Sequence, residues 1–170
     1  MAKLSLYLAT LLLGSNFSAT TAPDEVSAAL RGGEVTAVEQ RFVDLANSER
    51  WDRNLRVLAP NALLTAVARA HSREMAEKHY FDHMSPTPGQ ATPLDRYLTS
   101  LHRRPTWVYV GENLVYCSLS DAELGHSSLM GSPKHRDNIL NPRFEQIGVG
   151  VYLGIDGKMW VTQMFLAQID

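Results

Sequence analysis

The chain has 170 residues, of which 45% are hydrophobic and 20% are charged, and its formal net charge is −2. This composition is typical of a globular protein, and the length suits one domain with a short appendage. The near balance of positive and negative charge argues against a nucleic-acid-binding protein, whose surface would normally carry a basic face. A single cysteine, Cys117, excludes an internal disulfide, so the core must be stable without one.

Residues 1–22 have the layout of a secretory signal peptide. A short start with Lys3 precedes the apolar run Leu4–Leu13, and small and polar residues follow it. This run is too short to span a bilayer, so it predicts export and not a membrane-spanning protein. Ser15 stands where a lipoprotein signal would carry its acylated cysteine, which argues against lipid anchoring. Cleavage is expected between Ser15 and Ala22, and we interpret residues 23–33 as a linker or a frayed short helix.

Hydrophobic spacing predicts that the next part of the chain is mainly helical. Apolar residues recur at helical intervals from Glu34 to about Ser48 and predict an amphipathic helix. A second helix is predicted over residues 61–80, with Asn61 as its N-cap. Residues 85–93 form a loop by their composition, and residues 94–101 predict a brief third helix.

The second half of the chain predicts mostly strands. In chain order, a strand, a helix and a β-hairpin are predicted at residues 106–117, 121–130 and 147–168. The helix opens with the capping box Ser120–Glu123 and is broken by Gly131 and Pro133, and the hairpin turns at Ile155–Lys158. Because helices come first and strands mostly late, without regular alternation, the sequence predicts an α+β sandwich.

The predicted strand carries a Gly-Glu-Asn triplet between apolar residues, so the carboxylate of Glu112 would be at least partly buried in a compact fold. A buried carboxylate without a partner is costly, so Glu112 needs one. Two histidines, His83 and His135, stand at the ends of predicted helices, where side chains can converge on a cleft. Either an imidazole donates a hydrogen bond to Glu112, or all three residues bind a divalent metal with water in an open position. Three unrelated residues are the remaining alternative.

The other chemistry-bearing residues have mainly structural interpretations. Cys117 is interpreted as a small buried hydrophobic residue. The other histidines are interpreted as a hydrogen-bonded core residue (His71), two surface residues (His79 and His102) and a helix residue that could approach the cleft (His126). The absence of H-E-x-x-H and G-x-S-x-G signatures argues against the common zinc-protease and serine-hydrolase sites.

Four motifs, in this order and spacing, resemble those of the CAP superfamily, which comprises cysteine-rich secretory proteins, antigen 5 and pathogenesis-related 1 proteins. They are YFDHMSP, VGENLVY, SPKHRDNILNPRFEQIGVGVYL and WVTQMF, and LANSER resembles part of the family's first helix. The resemblance covers about Glu34–Asp170 and is greatest to the bacterial secreted branch, which also lacks the eukaryotic disulfides. It implies the fold of the CAP (SCP) domain, which is an α-β-α sandwich with a central antiparallel sheet. This fold has a large cleft lined by two histidines and two acidic residues.

Matched motif by motif, His83, Glu112 and His135 correspond to the two histidines and one glutamate of that cleft. The resemblance therefore implies that Glu112 pairs with both imidazoles. The second acidic residue is missing, because Leu129 stands where many members carry tryptophan and Gly131–Ser132 falls near the acidic position.

Our first hypothesis is an exported CAP-domain binding module whose cleft takes an apolar or extended ligand, for example a lipid or a cell-wall component. Two alternatives stay open, a zinc-dependent hydrolase that uses His83, Glu112 and His135, and a structural cell-envelope protein. Apart from zinc in the hydrolase alternative, no cofactor is expected. No nucleic-acid partner is expected either. The predicted location is outside the cytoplasm, either the periplasm or the extracellular medium.

Overall fold

The computed structural model describes residues 23–101, 105–118, 121–154 and 157–169. In chain order the elements of these residues are α1 (Pro23–Trp51), β1 (Ala59–Pro60), α2 (Ala62–Glu77), α3 (Pro93–Thr99), β2 (Trp107–Ser118), α4 (Ala122–Gly131), α5 (Pro133–Ile139), β3 (Gln146–Leu153) and β4 (Lys158–Ile169). None of the helices within those ranges is long and apolar enough to cross a membrane. The expectations for the signal peptide, His102 and Ser120 concern residues outside the described ranges.

The four strands form one sheet in the order β1-β3-β4-β2. β4 pairs antiparallel with β2 on one side and with β3 on the other, as the predicted hairpin requires. The very short β1 runs parallel to β3, so the sheet is mixed, although its three long strands are antiparallel as expected. Sequence analysis does not predict β1, because two residues are too few to show a strand period.

Helices cover both faces of the sheet, which confirms the α+β class and the predicted sandwich. One core lies between the sheet and α1, α4 and α5, and it includes Phe42, Ala46, Leu129, Ile139, Phe144, Val149 and Phe165. A second core lies between the opposite face and α2 and α3, and it includes Leu64, Ala68, Tyr97, Met164 and Leu166. Since side chains alternate along a strand, neighbouring residues of β4 contribute to different cores, whereas β3 contributes side chains only to the first.

Glycines at two positions of β3 allow α2 to pack directly on the sheet. A Cβ atom at Gly148 or Gly150 would collide with the backbone of α2, at Thr65 and Arg69 respectively. Glycine within a strand often marks such a close backbone approach. The alternating glycines of the IGVGV motif therefore serve helix packing.

The observed helices differ from the expected ones at two boundaries. Residues 23–33, interpreted as a linker or a frayed short helix, are helical and form the first part of α1, which starts at Pro23. Proline is favoured in the first turn of a helix, and Gly32 and Gly33 each destabilise it by only about 1 kcal/mol relative to alanine. Sequence analysis also misses α5, because Pro133, interpreted as a helix breaker, begins a new helix immediately after α4. The N-cap of α4 is Asp121, whose side chain accepts from the backbone N–H of Leu124.

The LANSER motif lies at the end of α1 and holds three chain segments together. Asn47 bonds to both the N–H and the C=O of Leu58 through its side-chain amide. Arg50 is fully buried, and burial lowers the pKa of its guanidinium. That guanidinium donates to four backbone carbonyls, those of Arg56, Ile139, Asn141 and Phe144. Arg50 thereby fixes the segment that joins α5 to β3.

Side chains block exposed backbone at both edges of the sheet. At the β3 edge, buried Glu39 of α1 accepts from the backbone N–H of Val151 and forms an ion pair with Arg69 of α2. At the β2 edge, Asn138 of α5 donates to the backbone carbonyl of Glu112 at 3.0 Å. Covering an edge in this way hinders pairing with another chain.

Candidate functional site

Glu112 lies in the middle of β2, and its side chain is 1% exposed. Its Oε1 atom lies 2.9 Å from His83 Nδ1, and its Oε2 atom accepts from Arg96 Nη2 at 2.5 Å. An ionised carboxylate only accepts hydrogen bonds, so the ring nitrogen of His83 is the donor. The expected contact with His83 is therefore present, and Arg96 is an additional partner that sequence analysis misses.

Arg96 lies on α3 and is 3% exposed. Besides Glu112, it binds three backbone carbonyls through Nη1, those of His83, Gln90 and Ala91. The capping box of Thr92 and Asp95 fixes the start of α3 one turn before Arg96. The sequence offers no clear signal for this role, because an arginine in a short amphipathic helix normally points to solvent.

The segment that carries His83 is anchored to α2 by Glu74. The carboxylate of Glu74 accepts from four side chains, those of Lys78, Tyr80, Ser85 and Thr87. Burial by itself would raise the pKa of Glu74, but these hydrogen bonds hold it well below its usual range. His79 has a positive φ of 57° just after α2 and is exposed, so the helix ends before His83, as predicted.

His135 is carried by α5, which is attached to the opposite side of β2. Asn113 donates to the backbone carbonyl of His135 at 3.0 Å, and Asn138 donates to the side-chain oxygen of Asn113 at 2.9 Å. No hydrogen bond joins the His135 imidazole to Glu112 within the described part of the chain. The structure therefore shows the expected contact for His83 but none for His135, and Arg96 binds the second carboxylate oxygen.

The two histidines have opposite electrostatic environments. The hydrogen bond to Glu112 raises the pKa of His83, whose side chain is 48% exposed. Burial lowers the pKa of His135, and repulsion by the His83 imidazolium lowers it further. The two rings therefore lie close enough to influence each other, and His83 is the one that carries positive charge first as the pH falls.

We expect an NMR titration of the imidazoles to show His83 protonating at higher pH than His135. The raised pKa of His83 contributes stability that is present below the unfolded-state pKa and is lost as the pH rises through the folded-state pKa. His135 acts in the opposite sense, and its contribution is lost as the pH falls. Glu112→Gln removes the anion and should lower the pKa of His83. An unchanged His83 titration in this variant would contradict the assignment.

The three candidate metal ligands do not fit a metal ion. Both oxygens of Glu112 face donors, and one of these donors is a permanent cation, Arg96. Nowhere in the described ranges do three or more His, Cys, Asp or Glu side chains form a group that could hold a metal ion. The ligand set His83, Glu112 and His135 is therefore not assembled.

An exposed aromatic cluster, formed by Phe81, Tyr116 and Trp160, adjoins the polar residues. Its ring centroids lie 5.2 Å apart for Phe81 and Tyr116, 6.0 Å for Phe81 and Trp160, and 5.6 Å for Tyr116 and Trp160. Phe81 is 44% exposed and Tyr116 is 49% exposed. Tyr116 and Glu112 share a face of β2, about 13 Å apart at 3.3 Å per residue. The aromatic cluster and the Glu112 group, which is Glu112 with its partners His83 and Arg96, thus form one strip along β2. Residues 81–83 lie beside this strip.

The remaining candidates lie outside this strip. His71 is buried and bonds to the backbone carbonyl of Asp82 at 3.1 Å, which agrees with the expected core role. His126 is buried on α4, which packs on the opposite face. Neither of its ring nitrogens has a hydrogen-bond partner among the described residues, although Glu49 Oε1 lies 3.9 Å from its Nε2. Cys117 is half-buried, and burial raises the pKa of its thiol. A cavity of about 700 Å³ runs along α2 but is not lined by His83, Glu112 or His135.

Comparison with known proteins gives consistent matches. The model of the cysteine-rich secretory protein (CAP) family matches residues 43–165. The uncharacterized protein YkwD of Bacillus subtilis is 38% identical over 134 residues, which cover 79% of this chain and 49% of YkwD. The uncharacterized membrane protein YlbC of the same organism is 30% identical over 131 residues, which cover 77% of this chain and 35% of YlbC.

Among solved structures, an extracellular protein containing an SCP domain from Bacillus anthracis is similar, with a TM-score of 0.68 and 31% identity. The match covers 85% of this chain and 43% of that protein. The chain thus spans about half or less of the length of each of these relatives.

Proposed function

The chain belongs to the cysteine-rich secretory protein (CAP) family, and from that premise we propose that it is an exported binding module for an apolar or extended ligand. The observation that carries this proposal is the strip on β2, where the half-exposed aromatic cluster adjoins the ordered pair of Glu112 and His83. Contiguous exposed apolar surface with a polar border is typical of binding sites. Export is supported by the character of residues 1–22 and by the similarity to an extracellular relative.

The geometry supports binding better than catalysis. A general base must be free to accept a proton from a substrate, but Glu112 is buried and paired with Arg96. In the described part of the chain, the side chains that hydrogen-bond to Glu112 are those of His83, Arg96 and Asn138, none of which carries a hydroxyl or thiol nucleophile. Because the zinc ligand set is not assembled, no observation favours the hydrolase alternative.

The strip indicates which chemical features the ligand should combine. The aromatic cluster offers half-exposed rings for an apolar chain or ring. At the other end, the half-exposed His83 imidazole is oriented through Nδ1, which leaves Nε2 as a polar contact for the ligand. A ligand with an apolar part and a polar group, such as a lipid or a cell-wall fragment, would use both ends of the strip.

We expect Phe81→Ala and Tyr116→Ala each to weaken ligand binding about tenfold, equivalent to 1.4 kcal/mol, because each removes an exposed ring of the cluster. The measurement is binding of the mature protein to phosphatidylglycerol vesicles and, separately, to purified bacterial peptidoglycan. Trp51→Ala is the matched control, since Trp51 is a 74% exposed aromatic residue outside the strip.

The result distinguishes the alternatives. Equal binding by all variants, or no binding by the wild type to either probe, would favour a structural envelope protein. Zinc-dependent turnover of peptide or ester substrates that stops in both His83→Ala and His135→Ala would favour the hydrolase.

A further inference from the structure

A metal ion bound to Glu112 would lie next to the guanidinium of Arg96 and would be repelled by its positive charge. Zinc binds carboxylate oxygens and imidazole nitrogens at about 2 Å. The Oε2 atom of Glu112 already has the Nη2 atom of Arg96 at 2.5 Å, and the Oε1 atom faces His83. A divalent ion bound to this carboxylate would lie against a guanidinium that cannot lose its charge. Mutual repulsion in a buried environment would be strong.

Arg96 is held firmly in this position. Its Nη1 atom lies 3.1 Å from the carbonyl of His83, 3.4 Å from that of Gln90 and 3.3 Å from that of Ala91. The guanidinium therefore connects the segment that carries His83 to the carboxylate of β2. Its side chain is 3% exposed and is held inside the protein by these contacts.

The charges of the group are balanced without any added ion. Glu112 contributes one negative charge, and Arg96 contributes one positive charge in direct contact with it. His83, which lies between α2 and α3, adds a second positive charge when it is protonated, so an added cation would only increase the positive excess. A buried carboxylate is satisfied by paired cations and hydrogen bonds, and Glu112 has both.

We propose that Arg96 is the resident cation of this site, which completes the surroundings of Glu112, orders the His83 segment and excludes a divalent metal. The site is then complete without metal, and removal of the guanidinium opens Glu112 to a divalent ion. This inference does not depend on which ligand the strip binds.

The test compares wild type, Arg96→Met and Arg143→Met, with zinc and cobalt as the probes. Methionine keeps much of the aliphatic length of arginine but removes the charge. Arg143 is the matched control, because its guanidinium lies over the ring of Tyr109, away from Glu112. Binding is measured by calorimetry and by the visible absorption of bound cobalt, and stability by thermal melting with zinc or EDTA.

We expect zinc and EDTA to leave the melting of wild type and Arg143→Met unchanged. Arg96→Met should bind zinc at least about tenfold more tightly than wild type and should be stabilised by it. The double variant Arg96→Met/Glu112→Gln should lose this gain. Saturable cobalt binding by the wild type that His83→Ala abolishes would overturn the proposal. The proposal would also be overturned if Arg96→Met folds but, like the wild type, neither binds zinc nor is stabilised by it.

If Arg96→Met does not fold, a second variant and the wild-type titration decide whether Arg96 is the resident cation. Arg96→Lys keeps a positive charge and should fold and remain insensitive to zinc. The wild-type titration is decisive by itself, because metal binding that depends on His83 refutes a resident guanidinium. Metal-independent melting with no such binding supports it.

Discussion

Glu112→Ala is expected to destabilise the protein by about 3–5 kcal/mol, because it leaves the guanidinium of Arg96 buried without its anion. Glu112→Gln should cost less, since the amide oxygen can still accept one hydrogen bond. Replacing both partners, as in Arg96→Met/Glu112→Leu, should cost less than the sum of the two single substitutions, because no charge is then left unpaired. Urea unfolding of the single and double variants measures this coupling as a double-mutant cycle.

A surface ion pair provides the matched control for this experiment. Glu123 pairs with Arg41 at 2.7 Å, but both side chains are exposed. Glu123→Ala should therefore leave the unfolding curve almost unchanged. If Glu112→Ala and Glu123→Ala gave the same curve, burial of the Glu112 pair would be refuted, and with it the basis for the resident cation.

The second large effect is expected at Arg50. Arg50→Met should destabilise the protein by about 4 kcal/mol or more, because four carbonyls lose a charged donor inside the protein. The loss should be measured by urea unfolding. Amide hydrogen exchange should also become faster in residues 139–145, which connect α5 to β3.

Arg53 provides a control for Arg50. Arg53 lies just beyond α1, and its guanidinium forms an ion pair with Glu49 near the surface. Arg53→Met should change neither stability nor hydrogen exchange appreciably. An Arg50→Met protein as stable as Arg53→Met would show that the buried guanidinium is not needed to hold these segments together.

The sequence by itself determined the class of fold, the family and most element positions. Apolar residues at helical and strand spacing were sufficient for α2, β2 and the β3–β4 hairpin, because these elements are long enough to show a period. The Gly-Glu-Asn triplet also showed that Glu112 needs a partner, since an unpaired buried carboxylate is costly. These inferences rest on local pattern and on the chemistry of single residues.

The family resemblance already implied the contact of Glu112 with His83, but tertiary structure alone decided that its second partner is Arg96 and not His135. His83 and Arg96 lie 29 and 16 positions before Glu112 in the chain. They are brought into contact by helix packing and by the anchoring of residues 80–87 to Glu74. α5 is too short for its period to be recognised, so the sequence could not show that His135 is attached through Asn113 to the other side of β2. The partner of a buried charge is whichever donor the assembled fold places within about 3 Å, and that distance depends on packing between elements far apart in sequence.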